Sequence, residues 1–347
     1  MEKNIREKYR LTKIIGADNF LFFNIILLEK RYTKRVLYDK TTGKSKNIIF
    51  NLEFHDWGFH NDIDGSIPFW PKGKVSQDIL YKNKNIMASN YIHGVTKSEQ
   101  NRLAELNKIV NDSFMNFLEI NPDNKILDIG CGMGNMAKYI AGKYPKTFVY
   151  GVDISQEQIS NGVIDCSNVK LIRGNANELS FEDNYFDIIY IRFLLEHVAD
   201  PLNIIYEAYR VLKNGGKIFV QENNITYMIF YPECPKFEKL WLKFAQLQKR
   251  LDGDALIGKK LFYLFTHTKF KEIELFLDPE VHYYGKGSFI TWIENLIQNI
   301  KGAEEKLIQY KFTNKYELEL VCKELEDFKH NKYASTYFCW NRLKAVK

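Results

Sequence analysis

Ile126-Leu127-Asp128-Ile129-Gly130-Cys131-Gly132-Met133-Gly134-Asn135 joins a short apolar run to the helical stretch that follows it. Glycine at three alternate positions permits the left-handed angles of a tight turn and lets main-chain amides approach a ligand closely. Turn geometry alone does not require three, so a small ligand is expected at this loop. The spacing departs from a dinucleotide fingerprint: counted from Gly130, the G-x-G-x-x-G pattern puts Asn135 last and leaves Gly134 as an extra glycine. Asp128, directly before the loop, repels a pyrophosphate and favours a ligand with positive charge or amine donors. Asp153 closes the next apolar run, nineteen residues after Gly134. A carboxylate there can accept two hydrogen bonds from ribose hydroxyls, although taken alone it can also be only a helix N-cap.

Around this loop, short apolar runs alternate with helical stretches. Strands are predicted over 125–129, 147–153, 169–174, 186–192 and 217–222. The spacing suits right-handed crossovers of a parallel sheet, so the fold class is α/β, doubly wound. Upstream, Leu103, Leu106, Val110, Phe114 and Phe117 recur at helical intervals, predicting a helix over 98–118 with Ser98 as its N-cap. Residues 223–272 read as helical and aromatic, with Tyr227, Phe230, Tyr231, Trp241 and Phe244. A second helix-rich stretch occupies about 285–329. Such insertions act as lids over the carboxyl edge of the sheet, where ligands sit. Residues 1–85 differ in texture: apolar runs alternate with basic turns such as Lys40-Thr41-Thr42-Gly43-Lys44, as in a small β-rich unit, and 56–74 reads as an ordered loop. The division expected is a basic N-terminal accessory segment over 1–85 and the main domain over 86–347.

The 347 residues, 45% hydrophobic and 27% charged, exclude disorder as the main state. Their 25 Phe and 21 Tyr suffice to line an apolar pocket as well as a core. The formal charge of +6 lies entirely in residues 1–85, which hold 16 basic and 10 acidic side chains and leave 33 of each elsewhere. Five widely spaced cysteines without a CxxC pair suggest neither a disulfide framework nor a zinc knuckle, and fit a reducing cytoplasm. The longest nearly apolar run, 20–28, is too short to span a bilayer and badly placed for a signal peptide. His55, His60, His267 and His282 lack the clustered partners of a metal site, so no metal is expected.

Asp128 to Gly134, Gly151-Val152-Asp153-Ile154-Ser155, Gly174-Asn175-Ala176, Asp187-Ile188-Ile189-Tyr190 and Leu212-Lys213-Asn214-Gly215-Gly216 resemble, in order and spacing, successive motifs of the class I S-adenosylmethionine-dependent methyltransferases. The likeness covers about residues 90 to 222 and is greatest to the small-molecule branch typified by ubiquinone and menaquinone methyltransferases. It implies a mostly parallel seven-stranded sheet with a reversed final hairpin, and 333–347 suits its last strand. It also implies S-adenosyl-L-methionine as cofactor, with the amino-acid end near Gly130, Gly132, Gly134 and Arg192. The ribose falls on Asp153, and Ile154 lies against the adenine, with Gln158 and Ala176 nearby. Asn175 stands where the family usually has an aspartate accepting from the adenine amino group, a bond that an amide oxygen also accepts at lower strength. Tyr91 and His93, in Tyr91-Ile92-His93-Gly94, resemble the short motif that closes over the amino-acid end; a plain loop is the alternative.

Methyl transfer from a sulfonium is an in-line displacement, in which the protein mainly aligns the reactants and excludes water. His197, after the fourth strand of the alternation, is the candidate general base, a structural or cofactor-positioning role being the alternative. Glu196 reads as solvated or supporting. Glu222, closing the fifth strand, is expected on the acceptor's side, or else as a cap of the next helix. Aromatics of 227–244 with Tyr283 and Tyr284 are expected to wall the acceptor pocket. The leading expectation is O- or N-methylation of a small molecule, without a membrane span. The alternative is a methyltransferase of macromolecules that recognises a peptide or RNA through the basic N-terminal segment. The absence of an RNA-binding motif and the neutral main domain argue against nucleic acid. The intact glycine loop argues against a binding protein without turnover, and the glycine spacing against a nicotinamide oxidoreductase.

Overall fold

A computed structural model describes residues 9–17, 20–27, 32–39, 45–50, 92, 97–162 and 165–347. The loop expected over 56–74 and the motif residues Tyr91, His93 and Gly94 lie outside the described residues. The chain divides into two units, Met1–Val75 and Ser76–Lys347. In the first, β1 (Tyr9–Ala17), β2 (Phe20–Leu27), β3 (Tyr32–Asp39) and β4 (Ser45–Phe50) pair antiparallel in the order β1-β2-β3-β4. Ala17 stands opposite Phe20 at one end of the β1–β2 pairing.

The second unit is built on a mixed sheet. Its strands are β5 (Lys125–Ile129), β6 (Phe148–Asp153), β7 (Val169–Arg173), β8 (Phe186–Arg192), β9 (Leu212–Glu222), β10 (Ile229–Tyr231), β11 (Lys271–Tyr283) and β12 (Ser335–Val346). The order is β10-β12-β9-β8-β5-β6-β7, with β11 on the far side of β12. β5 to β9 run parallel, whereas β12 runs antiparallel to β9, β10 and β11, which makes β11 and β12 the reversed hairpin. The three-residue β10 brings the count to eight, one more than expected. It adds to the free stretch of β12 beyond the end of β9, inside a segment read from sequence as helical.

Alternation along the strands sends successive side chains to opposite faces. Ile126, Ile188, Tyr190 and Phe219 pack against α1 (Lys97–Phe117) and α2 (Asn135–Lys143), with Phe114, Met115, Met136 and Ile140. Leu127, Ile129, Ile189 and Ile191 pack on the other face against α4 (Pro201–Val211) and α6 (Leu261–Thr266); the short α3 (Gln156–Asn161) follows β6. α1 starts at Lys97, so Ser98 lies within its first turn and does not cap it. A third core joins the two insertions: Phe237, Trp241 and Phe244 of α5 (Pro235–Arg250), Trp292 and Leu296 of α7 (Phe289–Gln309), and Leu325 and Phe328 of α8 (Lys315–Lys329). Leu106 and Val110 of α1 close it from below. Among the described residues no helix is long and apolar enough to cross a membrane.

Phe237 is fully buried in this third core, stacked on Trp241 and edge-on to Phe230. Phe237→Ala is expected to destabilise the protein by about 3–5 kcal/mol in urea unfolding, through lost burial and the cavity left behind.

Candidate active site

Ile129, Asp153, Arg192 and Glu222 end β5, β6, β8 and β9, and therefore share one edge of the sheet. The strand order reverses at β5, flanked by β6 on one side and β8 on the other. A crevice opens outside the carboxyl ends of the strands at such a switch point.

Gly130, Gly132 and Gly134 take φ of 80°, 55° and 74° in the loop that leaves β5. Each is in the region that L side chains rarely adopt. A Cβ on Gly130 would lie 3.0 Å from Leu194, and one on Gly132 would lie 3.1 Å from Gln158 Oε1. The loop is threaded back onto β6: Gly130 and Cys131 amides both donate to the Val152 carbonyl, and the Gly134 amide donates to Cys131. The Gly132 amide donates to Asp153 Oδ2 at 2.9 Å, while Ser155 N donates to Asp153 Oδ1 at 2.8 Å. These four loop amides are thus spent within the protein. The loop gives a ligand room for close approach rather than a nest of donors, which suits a cation or a donor group and not a phosphate.

Behind the loop, Asp128 is buried and accepts from Tyr190 OH at 2.6 Å. Burial pushes its carboxyl up to about 7, against the Tyr190 hydrogen bond and the Arg192 charge, both of which lower it. Arg192 donates to Asn107 and Asn111, one helical turn apart on α1, and its guanidinium lies over the Phe114 ring. A cavity of about 350 Å³ lies beside this corner, lined by Asn107, Lys108, Asn111, Asn135 and Tyr139 among others. Ile154 is exposed, next to Asp153, as a flat apolar surface at the cleft's edge. Asn175 is also exposed; its side-chain oxygen accepts from the Asn177 backbone amide at 3.0 Å and from Asn177 Nδ2 at 3.2 Å, so both of its lone pairs are engaged within a local turn. Ala176 is half-buried next to it.

The turn after β8 carries the remaining candidates. Phe193 takes a left-handed φ of 57°, which is strained for a bulky residue. Leu195–His197 then form a short 3-10 turn. Glu222, expected on the acceptor's side or as a cap of the next helix, does neither. It is fully buried, and its carboxylate accepts from the amides of Leu194, Leu195 and Glu196 at 3.0, 2.7 and 3.4 Å. Burial, and secondarily the Glu196 charge, push its carboxyl well above the usual range although the three amides oppose them. Glu196 is buried rather than solvated: Asn223 Nδ2 donates to Oε1 at 2.7 Å and Gln248 Nε2 to Oε2 at 3.2 Å. His197 Nε2 is 3.7 Å from Glu196 Oε1, and Nδ1 is 3.3 Å from Gln248 Nε2. Burial lowers the imidazole, partly offset by the Glu196 and Glu99 carboxylates, so it is neutral near pH 7. The aromatics expected to wall a pocket are divided: Phe230, Trp241 and Phe244 are packed into the third core, while Tyr227, Tyr231, Tyr283 and Tyr284 face solvent.

Residues 127–220 match the family model of a methyltransferase domain. Demethylmenaquinone methyltransferase of Bacillus mycoides is 30% identical over 179 residues, covering 46% of this chain and 76% of that protein. The chain belongs to the S-adenosylmethionine-dependent methyltransferases. The corresponding protein of Bacillus cereus is 33% identical over 144 residues, but the methyltransferase described here spans only 61% of its length, and 37% of this chain is matched. Among solved structures, the YcgJ protein of Bacillus subtilis aligns at a TM-score of 0.46 and 17% identity, covering 69% of this chain and 98% of that one. The fold assignment of this methyltransferase rests on its strand order and reversed hairpin.

Asn107 and Asn111 went unnoticed in the sequence although their four-residue spacing put them on one face of a predicted helix. Gln248 had no local signal, because only the docking of α5 brings it to His197.

Asp128 generates a pH test. A carboxyl raised from 3.8 to about 7 contributes stability below its unfolded value, and this stability is lost as pH rises through about 7. Asp128→Asn does not ionise. The melting temperature of the wild type relative to this variant is therefore expected to fall between about pH 4 and pH 7 and to level off above, and a difference independent of pH would contradict the assignment.

Proposed function

We propose that this methyltransferase binds S-adenosylmethionine at the β5–β6 edge and methylates an oxygen or nitrogen of a small molecule held beside the turn after β8. The observation that carries the cofactor reading is the pairing of Gly132 with Asp153. It closes the loop onto β6 with its amides consumed, while the buried Asp128 stands directly behind. A cationic, amine-bearing ligand fits such a corner and a pyrophosphate does not. The fit extends to the ribose: each Asp153 oxygen has one lone pair engaged by a backbone amide and keeps capacity for a hydroxyl. Ile154 beside it offers an apolar face of the sort that a purine covers. The names of the relatives support a small-molecule acceptor.

S-adenosylmethionine supplies a methyl group already activated on a sulfonium. What the chain's own residues contribute is alignment and exclusion of water. Gly130 and Gly132 let a ligand come close to the main chain at the end of β5. Asp153 orients from the side, Arg192 holds α1 to the edge through Asn107 and Asn111, and the third core holds the insertions in place. His197 is the polar group on the acceptor's side, with its side chain 18% exposed.

Calorimetric titration with S-adenosylhomocysteine and with reduced nicotinamide dinucleotide tests the cofactor reading: binding of the first alone is expected, and binding of the second alone would refute it. Asp153→Ala should weaken the first by about 100-fold, from lost charge-assisted bonds to hydroxyls and a loosened loop. Transfer of labelled methyl groups, assayed against a metabolite extract and a peptide library, is expected to label the extract; labelling of peptides alone would favour a macromolecular acceptor.

A further inference from the structure

Three asparagines form a chain of hydrogen bonds past the end of β7, and the chain settles which end of each amide faces its neighbour. Asn203, in the first turn of α4, donates from Nδ2 to the main-chain carbonyl of Asn177 at 3.0 Å and to Asn177 Oδ1 at 3.1 Å. A carbonyl carries no proton, so the first contact puts the NH2 end of Asn203 there. The second contact then makes the oxygen of Asn177 the atom that meets it. Asn177 turns its own NH2 end to Asn175: Nδ2 donates to Asn175 Oδ1 at 3.2 Å, and the Asn177 main-chain N–H donates to the same oxygen at 3.0 Å. The main-chain bond fixes Asn175 independently, since only an oxygen can receive it. Both lone pairs of that oxygen are engaged. What the exposed side chain keeps for a ligand is Nδ2, which donates and does not accept.

We infer that Asn175 reads the base of the bound nucleoside by donating to a ring nitrogen, and that it does not read the 6-amino group of adenine. The inference deepens the proposed function and rests on the ribose lying at Asp153. β7 pairs with β6 so that Asp153 stands opposite Arg173, and the Gly174 amide donates to the Asp153 carbonyl at 2.9 Å. Gly174-Asn175 therefore leaves β7 directly beside the acid that orients the ribose. A base carried by that ribose and lying over Ile154, which is 59% exposed, has the end of β7 as its neighbour. Adenine presents a donor in its amino group and acceptors in its ring nitrogens. An N–H donor pairs only with the acceptors.

The family that the sequence resembles usually has an aspartate at this position. A carboxylate could keep one oxygen on Asn177 and offer the other to the amino group. Asparagine has the same shape and puts NH2 where that second oxygen would be, so it reverses the polarity of one contact. The consequence is a change of specificity. The bond that separates a 6-aminopurine from its deamino counterpart is missing, whereas the bond to a ring nitrogen is common to both.

The test is calorimetric titration of the full chain with S-adenosylhomocysteine and with its 6-deamino analogue, in which hydrogen replaces the amino group and the ring nitrogens remain. The wild type is expected to bind the two within ~3-fold of each other, because the bond from Asn175 is retained. Asn175→Asp is expected to bind the analogue at least ~5-fold more weakly than S-adenosylhomocysteine, since a charged acceptor then gains the amino group as its donor. A wild-type preference for S-adenosylhomocysteine above ~3-fold overturns the inference, because the amino group is then read. The same ratio in Asn175→Asp and the wild type also overturns it, by showing that the side chain does not face the base. If the variant does not fold, the wild-type ratio still decides. Failure of the wild type to bind S-adenosylhomocysteine at all refutes the proposed function instead.

Discussion

The carboxylate of Glu222 holds three amides of the turn that follows β8, and the site is arranged around that contact. The turn begins at Phe193 with a left-handed backbone that costs on the order of 1–3 kcal/mol and persists only where its surroundings over-determine it. Glu222 supplies that restraint from the adjacent strand. Two consequences follow from where the turn is held. Leu194 is pressed against Gly130, which leaves no room for a side chain there, and His197 is brought beside Gln248. One buried acid thus sets both the floor of the glycine loop and the position of His197.

Such an arrangement is expensive. Asp128 and Glu222 are both taken out of water, and burial pushes both carboxyls upward. Each is compensated differently: Asp128 by a tyrosine hydroxyl and the Arg192 charge, Glu222 by main-chain amides. The carboxyl ends of β5 and β9, on either side of β8, therefore present acids of different character, one behind the glycine loop and one beneath the turn after β8. A sheet built only for stability has no reason to place them so, because apolar residues of similar volume pack there at no desolvation cost.

The insertions act in the same direction. Phe230, Phe237, Trp241, Phe244, Trp292 and Phe328 are committed to a core shared by α5, α7, α8 and α1, so they stiffen the edge rather than line it. α1 is the common element: Phe114 packs on the sheet, Leu106 and Val110 close the third core, and Asn107 and Asn111 hold Arg192. Movement of the insertions would be felt at Arg192 through α1 and at His197 through Gln248.

The parallel strands, the glycine loop and the acid at the end of β6 were legible because each is a local pattern, a period of two or a spacing that one turn demands. The same holds for the helical period of α1. The roles of Glu222, Glu196 and Gln248 were not legible, since an acid at a strand end reads alike whether it faces solvent, a ligand or a neighbouring turn. β10 was missed for a related reason: three residues become a strand only because β12 extends past β9 and has hydrogen-bonding groups to share. Sequence by itself determined the parallel strands, the glycine loop at their edge and the family resemblance, all properties of short-range pattern. Which acids are buried, which aromatics are core and what Gln248 touches were decided only by tertiary structure, because burial and hydrogen-bond partners come from elements distant along the chain.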